Sequence, residues 1–347
     1  MNSMTAFYRL PFAQSYIEIA QTKGDVEQLA CCTALNGRSG FVVAPFQTTA
    51  HCPILLIRPD RVVEHPTEQT SAIGEAVNSF QLHRDQYAED FAAFHAQLEA
   101  GAFRKIVLAR SATLHPNQQT DPKQLFLLAC QHYPRMFIAL AKLPNGHYWL
   151  TATPEILLEG TGTEWRTIAL AGTMQLQDDE LQSEGQTMRW STKNIQEQHY
   201  VATYIAHTLS RLHLSYQEEG PRTVRAANLV HLRSDFTFTL PDTSHIGDLL
   251  NALHPTPAVC GLPRESTLSF ITSNEHIRRQ YYSGFMGPMN LASPYSTHLY
   301  VSLRCMEICP DAYHLYAGGG LLKDSTEESE WQETEAKMQT MKSLLGI

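Results

Sequence analysis

Glu330, Glu333 and Lys337 follow one another at spacings of three and four residues, so a helix would carry them on one stripe. Trp331, Thr334, Met338, Met341 and Leu345 form the adjacent, mostly apolar stripe, which sets the carboxylates at the border of a buried face. Acidic residues there suit a cleft edge that holds a hard cation. The competing reading is a solvated face with a Glu333–Lys337 ion pair. Lys193 and Glu197 lie one turn apart on a second helical segment. Glutamates from separate helices, completed by water and substrate oxygens, are a donor set that magnesium favours.

Two further residues bear on proton transfer. Lys105 opens an apolar, β-branched run, and a lysine held among apolar groups gives up its proton more readily and can act as a base near neutral pH. Thr153-Pro154-Glu155 interrupts two strand-like runs and carries a carboxylate. For both, a surface charge at a strand end is the alternative. Tyr316-Ala317-Gly318-Gly319-Gly320 follows a strand and precedes the last helix. Its missing side chains would let a ligand reach the backbone amides, which can hold an anion; the alternative is a tight turn. The run is not GxGxxG and no GK[ST] follows, so nucleotide binding is unsupported.

These residues need a scaffold. Tyr87, Phe91, Phe94 and Leu98 predict an amphipathic helix ending at Gly101, and Lys105–Arg110 predicts a strand. Asp121-Pro122 caps a short helix through Leu125 and Leu128. Met136–Leu143, a turn at Asn145-Gly146, and His147–Thr151 make a hairpin, and Ile156–Glu159 pairs with Trp165–Leu170. A long helix covers about Lys193 to Leu212. Leu229–Leu232, Phe236–Leu240, Tyr300–Arg304 and His314–Ala317 are extended. Asp248–Leu253, Arg264–Asn274 and Thr326–Leu345 are helical. Hairpin strands interleaved with separate helices predict an α+β fold with antiparallel sheets. No Pro-, Gly- or Ser-rich linker divides the chain, so one domain over residues 1–347 is expected, its first 80 residues forming a sheet edge.

Composition narrows the partners. The net charge of −9 argues against nucleic acid or an anionic membrane, although a local basic cluster can still hold an anionic small substrate. No stretch approaches the ~20 apolar residues that span a bilayer. Met1 to Gln14 carries one positive charge, Arg9, and no long apolar core, so no leader or lipid anchor is expected and a cytoplasmic protein is. The seven cysteines are odd in number and make no CxxC pair, so neither a disulfide framework nor a structural zinc site is expected. The 16 histidines make no HxH or HExxH.

Read together, the segments resemble the chorismate-utilising enzymes, most closely the isochorismate synthases among them. Lys105–Arg110, Thr153-Pro154-Glu155, Leu170-Ala171-Gly172-Thr173, Lys193–Glu197, Leu253–Glu265 (LHPTPAVCGLPRE), Tyr316–Gly320 and Glu330–Lys337 (EWQETEAK) occur in family order over residues 85–345. The resemblance implies two packed antiparallel β-sheets flanked by helices, with a site in the cleft between them. It implies that chorismate loses its C4 hydroxyl while water adds at C2, with Lys105 as general base and Glu155 as general acid. It implies a magnesium ion on Glu197 and Glu333 with Glu330 close by, and Arg304 gripping the enolpyruvyl carboxylate. Gly172, Thr173, Gly318, Gly320, His231, His254, Ala258, Tyr282 and Lys337 match residues at the substrate site. Asn194 stands where relatives often have an acidic residue, which implies a weaker outer metal shell.

Within the family, anthranilate synthases usually lack a lysine at position 105, and aminodeoxychorismate synthases place one where Ala171 stands. The pattern here is the water-using one. Salicylate synthase is the alternative inside the family, and a non-catalytic chorismate-binding homologue the alternative outside catalysis. Menaquinone supply is the expected purpose, with siderophore or salicylate production as alternatives, and a monomer is expected.

Overall fold

A computed structural model describes residues 3–71, 77–118, 120–175, 189–226, 229–291 and 296–347. The local signals hold. Asp121 accepts from the Lys123 N–H at 3.0 Å, with Pro122 at the first turn of the Pro122–His132 helix. Gly101 follows the Arg84–Glu99 helix at φ 72°, and Gly146 turns the hairpin at φ 88° while Asn145 Oδ1 accepts from the His147 N–H at 3.0 Å.

Two large sheets organise the chain, and every strand pairing among the described residues is antiparallel. The ten-stranded sheet runs Gly261–Leu262, Lys105–Pro116, Tyr313–Leu321, Cys305–Ile308, Tyr148–Thr153, Phe137–Lys142, Met4–Arg9, Ser15–Gln21, Arg61–Pro66, with Val77–Gln81 also paired to Lys105–Pro116. The nine-stranded sheet runs Tyr216–Ala226, Leu229–Thr239, Glu164–Gln175, Ile156–Thr161, Ser296–Val301, Phe285–Met289, Gly40–Ala44, Ile54–Ile57, Glu27–Leu29. The first 80 residues thus supply one end of both sheets. Gly40–Ala44, expected at an edge, lies third from it, because Ile54–Ile57 and Glu27–Leu29 add outside.

The sheets face each other across a shared apolar core. Phe41 and Val43 from one meet Ala139 and Trp149 from the other, and Phe137 stacks on Tyr300 at 4.4 Å between ring centroids. The helices cover the outer faces. Val201, Ile205 and Leu209 of the Thr192–Arg211 helix pack on the nine-stranded sheet. Leu125, Phe126, Met338 and Met341, from two helices, pack on Leu140, Leu150 and Leu315 of the ten-stranded one. This is the α+β arrangement that hairpin patterning required.

Three local expectations change. Leu229–Leu232 and Phe236–Leu240 are parts of one strand, Leu229–Thr239, because the polar residues between them sit in a ladder shared with both neighbours. The strand expected over Tyr300–Arg304 is Ser296–Val301, and Arg304 lies in the following turn at φ 43°. The glycine run is no turn. Gly318, Gly319 and Gly320 stand inside the Tyr313–Leu321 strand, opposite Ala109, Leu108 and Val107, so their amides belong to the ladder.

Candidate active site

The glycines of Tyr313–Leu321 are needed for space. A Cβ at Gly320 would stand 2.1 Å from Glu197 Oε1 and 2.8 Å from Lys105 Cε, and one at Gly318 would stand 2.6 Å from the Tyr282 hydroxyl. Alternate residues of a strand face opposite ways. Gly318 and Gly320 therefore open the inner face, and Gly319 opens the outer one, where its Cβ would meet Glu330 Oε2 at 2.8 Å. Three consecutive glycines let a carboxylate-bearing helix approach from each side.

Between the sheets lies a narrow cleft. Glu155, Glu197, His231, Arg304, Tyr282 and Lys337 supply its polar lining, with Gly172, Thr173, Ala258, Gly318 and Gly320 among the small residues. Lys105 is fully buried at its edge, with Nζ 3.0 Å from Glu197 Oε1, a contact too poorly aligned to count as a hydrogen bond. Val107, Leu170, Ala171, Val259, Leu303, Tyr316 and Ala317, none of them among the individual site candidates, complete the wall. Tyr316 stacks on Tyr282 at 5.7 Å, and Trp149 backs it at 5.3 Å.

The two buried carboxylates of the cleft are driven apart. Burial pushes Glu155 up to about 7, although Arg304, Lys105 and Lys337 pull the other way. Burial would also raise Glu197, but Lys105, Lys337 and Lys193 together bring it below the usual carboxylate range. One carboxyl can hold a proton near neutral pH while the other stays ionised, the pairing that acid–base chemistry requires.

Gly172 shows how the sequence shapes the wall. It sits at φ 71° in a bulge where the Glu164–Gln175 strand slips register against Leu229–Thr239 between Ala171 and Thr173. A Cβ there would stand 3.0 Å from the Asn194 carbonyl oxygen. Asn194 is in the first turn of the helix capped by Ser191, and its amide reaches the Thr173 carbonyl at 3.4 Å. That side chain braces the cleft wall. The carbonyl of Gly172 in turn meets His231 Nδ1 at 3.1 Å.

Four of the candidate residues lie outside this lining: Lys105 at its edge, and His254, Glu330 and Glu333. His254 is buried elsewhere, with Nε2 3.0 Å from the Pro45 carbonyl oxygen and its ring edge-on to Phe285. The LHPTPAVCGLPRE block therefore reaches the cleft through Ala258 and Val259 while its histidine anchors the loop. Glu330 and Glu333 stand beside the cleft on the last helix. The Glu333–Lys337 pair exists at 2.7 Å, yet Lys337 also donates to the Gly318 carbonyl at 2.8 Å and lines the cleft. Glu330 is 1% exposed, pairs with Lys193, and is raised to about 6 by burial and by Glu333.

Magnesium suits these carboxylates. All donors are hard oxygens, each of the three glutamates already draws a lysine, and Glu330 Oε2 is buried with no hydrogen-bond partner. Glu197, Glu330 and Glu333 do not gather within 4.8 Å of one another. At magnesium–oxygen distances of about 2.1 Å the ligands of one ion stand no more than about 4.2 Å apart, so as placed the three cannot all bind one ion directly, and at least one would act through water.

A buried pair missed in the sequence holds the Lys105–Pro116 strand. Arg279 donates to the carbonyls of Val259 at 2.7 Å and Val107 at 2.8 Å, and Glu275, paired with it, accepts from the Ala109 N–H at 2.8 Å. The i,i+4 opposite charges at 275 and 279 were the available signal. They lie past the end of the Arg264–Asn274 helix, so the pair is set by tertiary packing.

Comparison with known proteins gives the cleft its context. Residues 54–346 match the family model described as chorismate binding enzyme. The chain is 30% identical over 262 residues to the isochorismate synthase DhbC of Bacillus subtilis, across 73% of this chain and 65% of that protein. It is 30% identical over 255 residues to the isochorismate synthase MenF of Escherichia coli, across 71% of this chain and 57% of that one. The chain thus spans less than two thirds of either relative's length. A putative 2,3-dihydroxybenzoate-specific isochorismate synthase from Bacillus anthracis superimposes with a TM-score of 0.84 at 24% identity, over 99% of this chain and 96% of that one. The menaquinone-specific isochorismate synthase MenF of Escherichia coli does so at 0.81 and 20% identity, over 99% and 88%. At those identities the superpositions speak for the fold, while the family match runs through the glycine strand, both carboxylate helices and the cleft wall: this chain belongs to the chorismate-binding enzyme family.

Proposed function

We propose that the chain is a magnesium-dependent isochorismate synthase, interconverting chorismate and isochorismate. The observation that carries this reading is one cleft holding Glu155 raised to about 7, Glu197 kept ionised, and a buried lysine, Lys105, in contact with Glu197. Similarity to two isochorismate synthases over more than two thirds of the chain supports it.

In this reading Lys105 takes a proton from water as its oxygen bonds to C2, and Glu155 gives a proton to the C4 hydroxyl as its bond breaks. The ring double bonds shift between the two carbons, one water enters and one leaves. Arg304 holds the enolpyruvyl carboxylate as a planar bidentate donor. Tyr282 and Tyr316 wall the ring, and the apolar neighbours Val107, Leu170 and Leu303 exclude bulk water. Glu197, Glu333 and Glu330 would hold magnesium, which when bound supplies positive charge to the ring carboxylate and to these glutamates, relieving the lysines of that role.

The test is chromatographic identification of the product from purified protein, chorismate and magnesium. Isochorismate is the expected product. Salicylate with pyruvate would replace the reading by a salicylate synthase, and no turnover by a binding homologue. We further propose that the enzyme works as a cytoplasmic monomer. No helix among the described residues is long and apolar enough to cross a membrane. For the product's destination we propose menaquinone biosynthesis, with siderophore or salicylate production as the alternatives.

A further inference from the structure

On the ten-stranded sheet, His147, Glu307 and Cys309 bring a nitrogen, an oxygen and a sulfur within 4.8 Å of one another. None of the three lines the cleft. His147 follows the Asn145-Gly146 turn, Glu307 belongs to the neighbouring strand Cys305–Ile308, and Cys309 opens the next hairpin, where its N–H donates to the Ala312 carbonyl at 2.9 Å. Two adjacent hairpins therefore hold the ligand atoms on ordered backbone.

Both contacts use the same ring atom. His147 Nδ1 is 2.8 Å from Glu307 Oε1 and 3.4 Å from Cys309 Sγ. A nucleophile–base–acid relay needs the thiol on one ring nitrogen and the carboxylate on the other. Here three electron-pair donors converge on one point, which is the geometry of a shared cation. Tetrahedral zinc with ordinary bond lengths would place such N, O and S donors about 3.3–3.6 Å apart. The N···S separation already matches, and the N···O separation has only to open by about half an ångström. Gln280 donates to the other carboxylate oxygen of Glu307 at 3.3 Å, which turns Oε1 toward His147.

We propose that His147, Glu307 and Cys309 form a second metal site, distinct from the magnesium carboxylates, that takes a borderline transition ion of the zinc class. The mixed N, O, S donor set selects such ions over magnesium, which prefers oxygen alone. On binding, a zinc–sulfur bond forms and the thiol proton leaves to solvent. The fourth position is open to water, because the His147 side chain is 29% exposed. The ion ties the two hairpins together. Sequence spacing conceals the site, since His147 stands 160 residues from Glu307.

The test is titration of the purified full chain with zinc alone, and with cobalt as a spectroscopic substitute. One thiolate-ligated ion per chain is expected, read from a thiolate-to-cobalt charge-transfer band that saturates at one equivalent at this site. Cys309→Ser should remove the band, and Cys309→Ser and His147→Asn should each weaken zinc by more than about tenfold, the least that even outer partners of a ligand usually cost. Cys31→Ser and Glu333→Gln should leave zinc affinity unchanged. Should Cys309→Ser fail to fold, His147→Asn, at a partly exposed turn, carries the test. A band that survives Cys309→Ser, or equal zinc affinity in wild type and His147→Asn, overturns the proposal.

Discussion

His231 Nε2 lies 2.7 Å from Arg304 Nη2, while Nδ1 of the same ring lies 3.1 Å from the Gly172 carbonyl oxygen. A guanidinium only donates, so Nε2 accepts and Nδ1 carries the ring proton. Burial, and then the nearby Arg304 charge, hold the imidazole neutral, well below its usual titration range. The histidine thus aims the arginine from the bulge that Gly172 makes.

Removing that acceptor should cost substrate affinity. His231→Leu leaves an Arg304 donor unpaired, and a hydrogen bond to a charged group contributes about 1.5–3 kcal/mol. The KM for chorismate should rise roughly ten- to hundredfold by that figure, with a smaller fall in kcat. Steady-state kinetics check it, and an unchanged KM would remove His231 from positioning.

In the proposed reaction Glu155 is the acid and must be protonated, and its carboxyl is raised to about 7. As pH rises through about 7, the protonated fraction falls, so kcat/KM should decline on the alkaline side. Glu155→Gln should lower turnover by about 10²–10⁴. A pH–rate profile in which the Gln variant keeps wild-type activity would exclude the assignment.

Lys105→Ala should abolish turnover and also lower stability. The substitution leaves Glu197, 8% exposed, without its closest cation. Adding Glu197→Gln should restore much of the thermal stability and none of the activity. Melting curves and turnover of the single and double variants separate the base from the strut.

Gly320→Ala should cripple the enzyme, because the new methyl falls 2.1 Å from Glu197 Oε1 and 2.8 Å from Lys105 Cε. Gly319→Ala strikes Glu330 on the other face and should instead raise the magnesium requirement, as should Glu333→Gln. Magnesium titrations of activity distinguish the two faces of one strand.

His254 should make folding pH-dependent. Burial, offset in part by the hydrogen bond to Pro45, lowers it from 6.5 to about 4. The folded value lies below the unfolded one, so its contribution is complete above pH 6.5 and is lost as pH falls toward 4. The linked loss is roughly 3 kcal/mol by the usual conversion. Urea unfolding at several pH values should show a shallower slope in His254→Gln.

Local patterning in the sequence is enough to fix the hairpins, the helix caps and the apolar stripes, because neighbouring residues decide those through backbone hydrogen bonds and periodicity. Asp121-Pro122, Asn145-Gly146 and the Lys193–Glu197 spacing all keep their predicted local form. The resemblance carried Lys105, Glu155, Glu197 and Arg304, and the structure brings these together in or beside one cleft.

Other assignments depended on distances across the fold. The glycine run reads equally as a turn or a ligand loop until Glu197, Lys105 and Glu330 are seen pressing on both faces of its strand. His254 reads as a site residue until Pro45 takes its ring nitrogen, and Glu275–Arg279 gains its role only where Arg279 meets the carbonyls of Val107 and Val259. Burial sets whether Glu155 keeps a proton and Glu197 loses one, and burial depends on residues far apart in the chain. Sequence therefore determined the residue types and their local frames, while the tertiary structure decided which charges share a dry cleft.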